Sequence, residues 1–175
     1  MKQFIFSLFA ASVLMAGDFT LQSTDIDANL TKVQEFNGYD GCTGDNISPQ
    51  LSWTNAPKET KSFVITMEDT DSPIGIIWWH WLVINIPANV TEIATDASGK
   101  AMPKGAIELK NNYGTVGFGG ACPPKGDKAH RYVFTVLALD IEALPVTERR
   151  NDAFLGNQIK MHTIAKASIV SYYQR

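Results

Sequence analysis

Three runs of this sequence are apolar on both faces when they are read as extended chain, and they constrain the fold more than any other feature. All three are rich in β-branched and aromatic residues, which favour strands. The runs are Ser62–Met67, Trp81–Ile86 and Tyr132–Leu139. A strand that is apolar on both faces has to be covered on both. We therefore predict that these runs are the central strands of a two-sheet β-sandwich.

The remaining segments predict shorter strands and one helix. Residues 37–50 are dense in turn-forming residues and are predicted to be a loop. Thr147–Met161 is predicted to be the helix, with Thr147 as its N-cap. Four further segments have the pattern of strands, namely Phe19–Ser23, Leu51–Trp53, Ile107–Leu109 and Ala167–Tyr173. The sequence thus predicts a mostly β protein with a helix near its C-terminus.

The first 16 residues differ from the rest of the chain. Lys2 precedes the almost wholly apolar run Phe4–Ala16, and polar sequence begins at Asp18. These are the features of a secretory signal peptide, and the run is shorter than a typical membrane span. The alternative is an N-terminal core helix, which the abrupt change to polar sequence disfavours. We predict a signal peptide over residues 1–16, one domain over residues 17–175, and export to the periplasm.

The overall charge narrows the classes of partner. The chain has a formal net charge of −3, and charged residues make up 19% of it. Nucleic-acid-binding proteins usually present a basic face. We therefore expect no nucleic-acid partner, and any site for an anion has to be local.

The two cysteines, Cys42 and Cys122, both lie in segments rich in glycine or proline. In an oxidising compartment they can form a disulfide, but a sequence does not give the distance between them. Two alternatives stay open. The cysteines are two small loop residues that never meet, or one of them is a reactive thiol, which is the least favoured of the three interpretations.

Residues 67–81 combine acidic, imidazole and aromatic groups at the ends of two predicted strands. Asp69 and Asp71 share one face if the chain is extended, and their mutual repulsion would then require a donor or a cation between them. His80 stands between two tryptophans, which should hold its ring in place. A histidine near a carboxylate is held in one tautomer or is protonated to receive an anion. Taken alone, a turn and a core histidine are the commoner explanations.

Residues 117–132 form the second such stretch. His130 and Tyr132 are two positions apart at the start of a strand, so they should share one face. Three glycines next to a rigid Pro-Pro pair are predicted to offer backbone amides as an anion-binding nest, and these are Gly117, Gly119 and Gly120. Taken alone, such a segment is more often a simple loop.

These residues also occur in a characteristic order along the chain. The motifs are Asp45–Pro49 ahead of Leu51–Trp53, Asp69-x-Asp71-x-Pro73, His80–Asn85, Gly120–Gly126 and His130–Tyr132. As a set they resemble the phosphatidylethanolamine-binding protein family, and within it the bacterial branch of Raf-kinase-inhibitor-like proteins. The resemblance extends over residues 17–175, including the tail after Arg149.

The resemblance implies a β-sandwich of two antiparallel sheets with Greek-key connections, a helix near the C-terminus and a small surface cavity for phosphate-type anions. Carried onto this sequence, it implies that the cavity is lined by Asp69, Pro73, Trp78, His80, Gly120, Cys122, Pro123, His130 and Tyr132. Asp71 is expected to brace the loop rather than to meet the ligand. Ala121 stands where the branch usually has the first proline of Gly-Pro-Cys-Pro-Pro, so a less rigid rim is expected.

The function that we expect is non-enzymatic binding, without cofactor or metal, of a phosphate-type anion such as a phospholipid head group or a phosphorylated small molecule or residue. His80, His130, Tyr132 and loop amides are the predicted donors, and modulation of a partner protein is included in the expectation. One alternative is a protease-inhibitor-like interaction module. Another is a hydrolase or metal site that uses Asp69 with both histidines, although no short zinc motif or nucleophile elbow is present. A homodimer is implied by the resemblance alone.

Overall fold

The structure of the protein is a computed structural model that describes residues 17–145 and 152–175. The predicted signal peptide at residues 1–16 and the predicted N-cap Thr147 lie outside the described residues. None of the helical segments within the described ranges is long and apolar enough to span a bilayer.

Eight strands and one helix occur in the described part of the chain, and the order of these elements agrees with the predicted mostly β fold. The elements are β1 Thr20–Gln22, β2 Leu51–Thr54, β3 Ser62–Asp69, β4 Trp78–Pro87, β5 Glu92–Ile93, β6 Ile107–Glu108, β7 His130–Leu139, α1 Asp152–His162 and β8 Thr163–Tyr173. Strand β5 was not predicted, because two residues carry no periodic signal. Strand β8 begins four residues before the predicted position, directly at the end of the helix.

The strands form two antiparallel sheets, one with the order β6-β4-β3-β7-β8 and one with the order β1-β2-β5. Strand β3 pairs with β7 along its whole length, from Ser62 opposite Leu139 to Asp69 opposite Tyr132. On its other side Asp69 lies opposite Trp78 of β4. The end of β3 and the beginnings of β4 and β7 therefore meet at one edge of the larger sheet.

Two hydrophobic clusters cover the two faces of the larger sheet. Between the sheets, Trp53 of β2 packs in one cluster with Phe63 and Ile65 of β3, among others. On the opposite face, Leu82 of β4 packs in a second cluster that contains Leu155 of α1. The prediction that the long strands are covered on both faces is confirmed, with the helix rather than a further sheet on the outer side.

The loop of residues 37–50 is fixed to the segment of residues 117–126 near the edge where the three strands meet. Cys42 and Cys122 form a disulfide across a sequence separation of 80, with their Cα atoms 6.0 Å apart. Two backbone hydrogen bonds of 3.0 Å join Ala121 to the chain just before this loop, one to Gln34 and one to Phe36. The covalent link and the short ladder together hold the two loops side by side.

Replacing both Cys42 and Cys122 with alanine should lower the free energy of unfolding by about 2–4 kcal/mol, because a cross-link over a long loop restricts the unfolded chain. Urea unfolding with and without a reductant measures the effect. The reductant should destabilise the wild type and leave the double variant unchanged. Equal stability of the two oxidised proteins would show that the cross-link adds nothing.

Candidate anion-binding site

A cavity of about 400 Å³ opens at the sheet edge where β3, β4 and β7 meet. Its volume lies in the range of small-molecule sites. Seven of the nine residues predicted to line it do so, namely Asp69, Pro73, Trp78, His80, Cys122, Pro123 and His130. Gly120 and Tyr132 are not in the cavity wall. Both are buried directly behind it, where they contact His80.

A β-bulge in β4 places His80 and Trp78 on the cavity side. Met67 of β3 pairs with Trp81, and the next residue of β3 pairs with Trp79, so His80 is the extra residue between the two pairs. A bulge redirects the side chains that follow it. Trp81 consequently lies in the core between the sheets, whereas Trp79 packs against the cluster on the helix side.

The ring of His80 is held by different neighbours from those predicted. Its contacts are edge-on to Tyr113 and Tyr132, with ring centroids 5.4 and 5.2 Å away. The prediction that the two flanking tryptophans hold this ring is wrong, because the bulge sends them to opposite faces of the sheet.

Hydrogen bonds determine which nitrogen of His80 carries the proton. Nδ1 lies 2.7 Å from the carbonyl oxygen of Gly119 and 3.1 Å from that of Gly120. Carbonyl oxygens only accept, so Nδ1 has to donate. In the neutral ring Nε2 then carries a lone pair. This atom is buried and has no hydrogen-bond partner among the described residues.

Burial lowers the pKa of His80 to about 4, although the Gly119 carbonyl and the charge of Asp69 act in the opposite direction. The ring is 1% exposed, so loss of hydration of the imidazolium outweighs those favourable interactions. His80 is therefore neutral at pH 7. This corrects the prediction that it donates to an anion, since its one N–H is already used inside the protein.

Asp69 and His130 form a buried pair on the adjacent wall. Nδ1 of His130 donates to Oδ2 of Asp69 over 2.7 Å, and its Nε2 lies 3.4 Å from Asp127. The other oxygen of Asp69 accepts the backbone N–H of Asp71 over 2.8 Å. Asp69 thus orients His130 and is matched by two donors of the protein itself.

Asp71 does not line the cavity, and its own contacts hold the loop that follows β3. It accepts hydrogen bonds from Lys128 Nζ over 2.8 Å and from the backbone N–H of Arg131 over 3.1 Å. The hydrogen bond from Lys128 lowers the pKa of Asp71. The two neighbouring aspartates therefore have separate partners rather than a shared cation.

The predicted amide nest is wrong, because its N–H groups are all used within the protein. Gly117 donates to Leu109 over 3.1 Å, Gly119 to His80 over 2.8 Å, and Gly120 to the Asn46 side chain over 2.7 Å. Gly120 has a steric role instead. A Cβ atom there would lie 2.2 Å from the carbonyl oxygen of Gln34, so only glycine lets these two segments approach.

Two hydrogen-bond donors near the cavity lack a partner within residues 17–145 and 152–175. They are Nε1 of Trp78, which lines the cavity, and the hydroxyl of Tyr132, whose ring packs edge-on against His80. The Tyr132 hydroxyl approaches the backbone of Cys122 without completing a hydrogen bond. Burial raises the pKa of Tyr132, so its hydroxyl remains protonated and able to donate.

The rim is braced by a residue that the motifs in the sequence did not predict. Arg175 donates from Nε to the carbonyl oxygen of Pro123 over 2.6 Å and from Nη2 to Asp40 over 2.8 Å. These two acceptors lie on opposite loops of the cavity mouth, and the disulfide joins the same two loops. The rim therefore has a covalent and an ionic brace, despite the alanine at position 121.

Sequence reasoning missed several wall residues, which are Tyr39, Asp40, Ser72, Ile74, Tyr113 and Pro124. Among them, Tyr113 stacks on Phe36 with ring centroids 4.1 Å apart, and its hydroxyl donates a hydrogen bond to the carbonyl oxygen of Gly120. Tyr113 lies in a polar turn, and no feature of the sequence there predicts a place in the cavity wall. Tyr39 and Asp40 lie in the predicted loop, and their glycine-rich surroundings were the available sign of a rim.

Two observations concern the alternatives of a metal site and a reactive thiol. Within the described ranges, no group of three or more His, Cys, Asp and Glu side chains is arranged to hold a metal ion. Cys122 is bonded to Cys42, so it offers no free thiol.

The pH dependence of stability should reveal the neutral state of His80. An unfolded histidine takes up a proton near its ordinary pKa of 6.5, whereas folded His80 does so only near 4. The unfolded state therefore binds more protons between these values, and His80 alone should lower the free energy of unfolding by about 2–3 kcal/mol between pH 7.5 and pH 4.5. Urea unfolding at the two pH values tests this.

His80→Gln should lose this share of the pH dependence, and His162→Gln, at a half-buried histidine outside the cavity, is the matched control. Long-range ¹H–¹⁵N spectra of the wild type give an independent measurement, because they assign the tautomer and follow protonation. Titration of the His80 ring near pH 6.5 would contradict the prediction.

The comparisons with known proteins agree on one family. The family model described as phosphatidylethanolamine-binding protein matches residues 23–174. The UPF0098 protein YbcL of Escherichia coli is 43% identical over 182 residues, which cover 99% of each chain. The UPF0098 protein YbhB of Escherichia coli is 46% identical over 141 residues, which cover 79% of this chain and 87% of YbhB.

Solved structures give the same result. The crystal structure of Escherichia coli YbcL, described as a new member of the mammalian PEBP family, superposes with a TM-score of 0.85 over 91% of this chain and 99% of its own. A putative PEBP homolog from Chlamydia trachomatis, CT736, is 31% identical, with a TM-score of 0.74 over 90% and 97% of the two chains. The chain therefore belongs to the phosphatidylethanolamine-binding protein family.

Proposed function

We propose that this protein is a non-enzymatic binding protein whose cavity holds a small phosphate-type anion. The observation that carries the proposal is a set of buried polar atoms, in the wall of one cavity or directly behind it, that have no partner in the described part of the chain; they are His80 Nε2, Trp78 Nε1 and the Tyr132 hydroxyl. Buried polar groups are nearly always hydrogen-bonded in native proteins. A ligand in the cavity can supply partners for the two atoms in its wall, His80 Nε2 and Trp78 Nε1, and the Tyr132 ring packs against His80 directly behind them.

The Trp78 N–H and the Tyr132 O–H are hydrogen-bond donors, and donors favour a ligand rich in acceptor oxygens. Phosphate oxygens are strong acceptors, and charge-assisted hydrogen bonds contribute about 1.5–3 kcal/mol each. The apolar wall formed by Pro73, Ile74 and Trp78 gives a small organic substituent a place to pack. After the costs of desolvation and immobilisation, roughly micromolar to millimolar affinity is expected.

The Asp69–His130 pair supports binding rather than catalysis. In a hydrolase of the serine type, the second nitrogen of the histidine faces a nucleophilic hydroxyl. Here Nε2 of His130 lies toward the carboxylate of Asp127, at 3.4 Å. We therefore assign Asp69 the role of orienting His130, and assign no chemical step to the site.

Calorimetric titration of the purified protein with phosphoethanolamine and inorganic phosphate tests the proposal. One-site binding is expected. Trp78→Phe removes the indole donor from the wall and should weaken binding about tenfold, whereas Trp79→Phe, on the helix side of the sheet, should leave it unchanged. Both variants are checked for folding by circular dichroism. An absence of heat with millimolar ligand and folded protein would refute anion binding.

We also propose that the protein is exported to the periplasm and loses residues 1–16. The apolar N-terminal run motivates this proposal, and the Cys42–Cys122 disulfide supports it, because such bonds persist in oxidising compartments. Intact-mass analysis of protein purified from the periplasmic fraction should give a mature N-terminus at about Gly17. Full-length protein confined to the cytoplasmic fraction would contradict export.

A second candidate function is recognition of a protein partner, such as a protease or a second copy of the chain. Three exposed isoleucines on the loop beside the cavity favour it, and these are Ile74, Ile76 and Ile77, which are 58%, 58% and 48% exposed. Exposed apolar clusters of this kind mark contact surfaces. Gel filtration separates self-association from the monomer, and affinity capture from a periplasmic extract tests for other partners.

A further inference from the structure

The unpartnered nitrogen of His80 restricts the form of the ligand. Nδ1 is committed to the carbonyl oxygens of Gly119 and Gly120, at 2.7 and 3.1 Å, so the neutral ring presents Nε2 as an acceptor. His80 lines the cavity and is 1% exposed, and none of the residues that the structure describes donates to its Nε2. A fully ionised phosphate oxygen would face this lone pair with a lone pair of its own. A buried acceptor instead requires a donor from the ligand.

The charges around the cavity also favour a ligand of low charge. Arg175 at the rim is bound to Asp40 over 2.8 Å, and Lys128 is bound to Asp71 over 2.8 Å, so each of these cations is already neutralised. The carboxylate of Asp69 lies in the wall itself. A phosphate dianion would therefore meet a negative wall, and repulsion of like charges is strong where water is excluded.

We propose that the cavity selects a phosphate group that still carries one P–OH hydrogen, and that this hydrogen is donated to Nε2 of His80. The proposal rests on the proposed function, and it names the ligand class. Phosphomonoesters have such a hydrogen below a second pKa of about 6, and inorganic phosphate keeps at least one at neutral pH as well. Phosphodiesters, including the head group of an intact diacyl phospholipid, have none at these pH values. The cavity thus prefers a monoester to a diester.

Several titratable groups face His80, and their influence on anion affinity has to be separated from that of the P–OH hydrogen bond. They are Asp69 at the end of β3, His130 and Tyr132 on β7, and Tyr113 in the segment after β6, with Asp127 and Asp40 beyond them. Changes in their protonation alter the affinity for any anion. The ratio of the affinities for two matched anions removes this common part.

The test is calorimetric titration of the purified protein with methyl phosphate and with dimethyl phosphate at pH 5.5, 6.5, 7.5 and 8. Dimethyl phosphate is a monoanion throughout and reports the titration of the protein. Methyl phosphate differs from it by the P–OH group and by its second ionisation. At pH 5.5 we expect methyl phosphate to bind at least tenfold more tightly, with this preference falling about tenfold per pH unit above 6.5.

The outcomes distinguish this inference from the function on which it rests. A preference for methyl phosphate that falls with pH supports the P–OH bond. Binding of both anions with a ratio that stays constant or rises with pH overturns it, while anion binding itself stands. If neither anion binds to the folded protein, the proposed function fails and this inference fails with it.

A variant provides a second, independent readout. Glutamine at position 80 offers an amide that can present either N–H or C=O, so His80→Gln should reduce the preference for methyl phosphate at pH 5.5 to within about threefold. His162→Gln, outside the cavity, should keep the wild-type ratio. If the glutamine variant does not fold, the wild-type ratio alone still decides. A folded His80→Gln protein with the wild-type ratio at every pH would overturn the inference.

Discussion

The cavity depends on two hydrogen bonds from one ring nitrogen of His80 to the carbonyl oxygens of Gly119 and Gly120. They attach the start of β4 to a segment that has no long strand of its own. That segment can come so close only because Gly120 lacks a Cβ atom where the backbone of Gln34 passes. The same bonds determine which nitrogen remains for a ligand. Packing and recognition are therefore set by one side chain.

The site that we propose for anions contains a buried carboxylate, and the contacts of this carboxylate give a consistent electrostatic explanation. Asp69 is satisfied by His130 and by a backbone N–H, and the basic side chains at the rim are each paired with an acid. What remains for a ligand is a small number of uncharged donors and one neutral acceptor. Such a site discriminates by hydrogen-bond direction more than by total charge.

The sequence predicted the large-scale features well, since they follow from local patterns. The long strands, the loop of residues 37–50 and seven of the nine expected wall residues were identified from apolar runs, turn formers and motif order. The sequence did not predict that Tyr113 and Arg175 belong to the site, because their contacts join segments far apart in the chain. The sequence also predicted the wrong neighbours for His80. A bulge shifts the alternation of side chains by one residue, and this shift cannot be recognised when both residues that flank the bulge are tryptophan.

The bulge in β4 also has a consequence for how this site can be gained or lost over time. Loss of the single extra residue, His80, would restore regular pairing at this point of β3 and β4, with Trp78 still opposite Asp69 on the cavity side. Trp81 and Val83 would keep their places in the core. A one-residue deletion would thus erase the site and preserve the fold, whereas most substitutions in this strand would affect both. Among relatives, the length of β4 is therefore a more direct marker of a retained cavity than the identity of its residues.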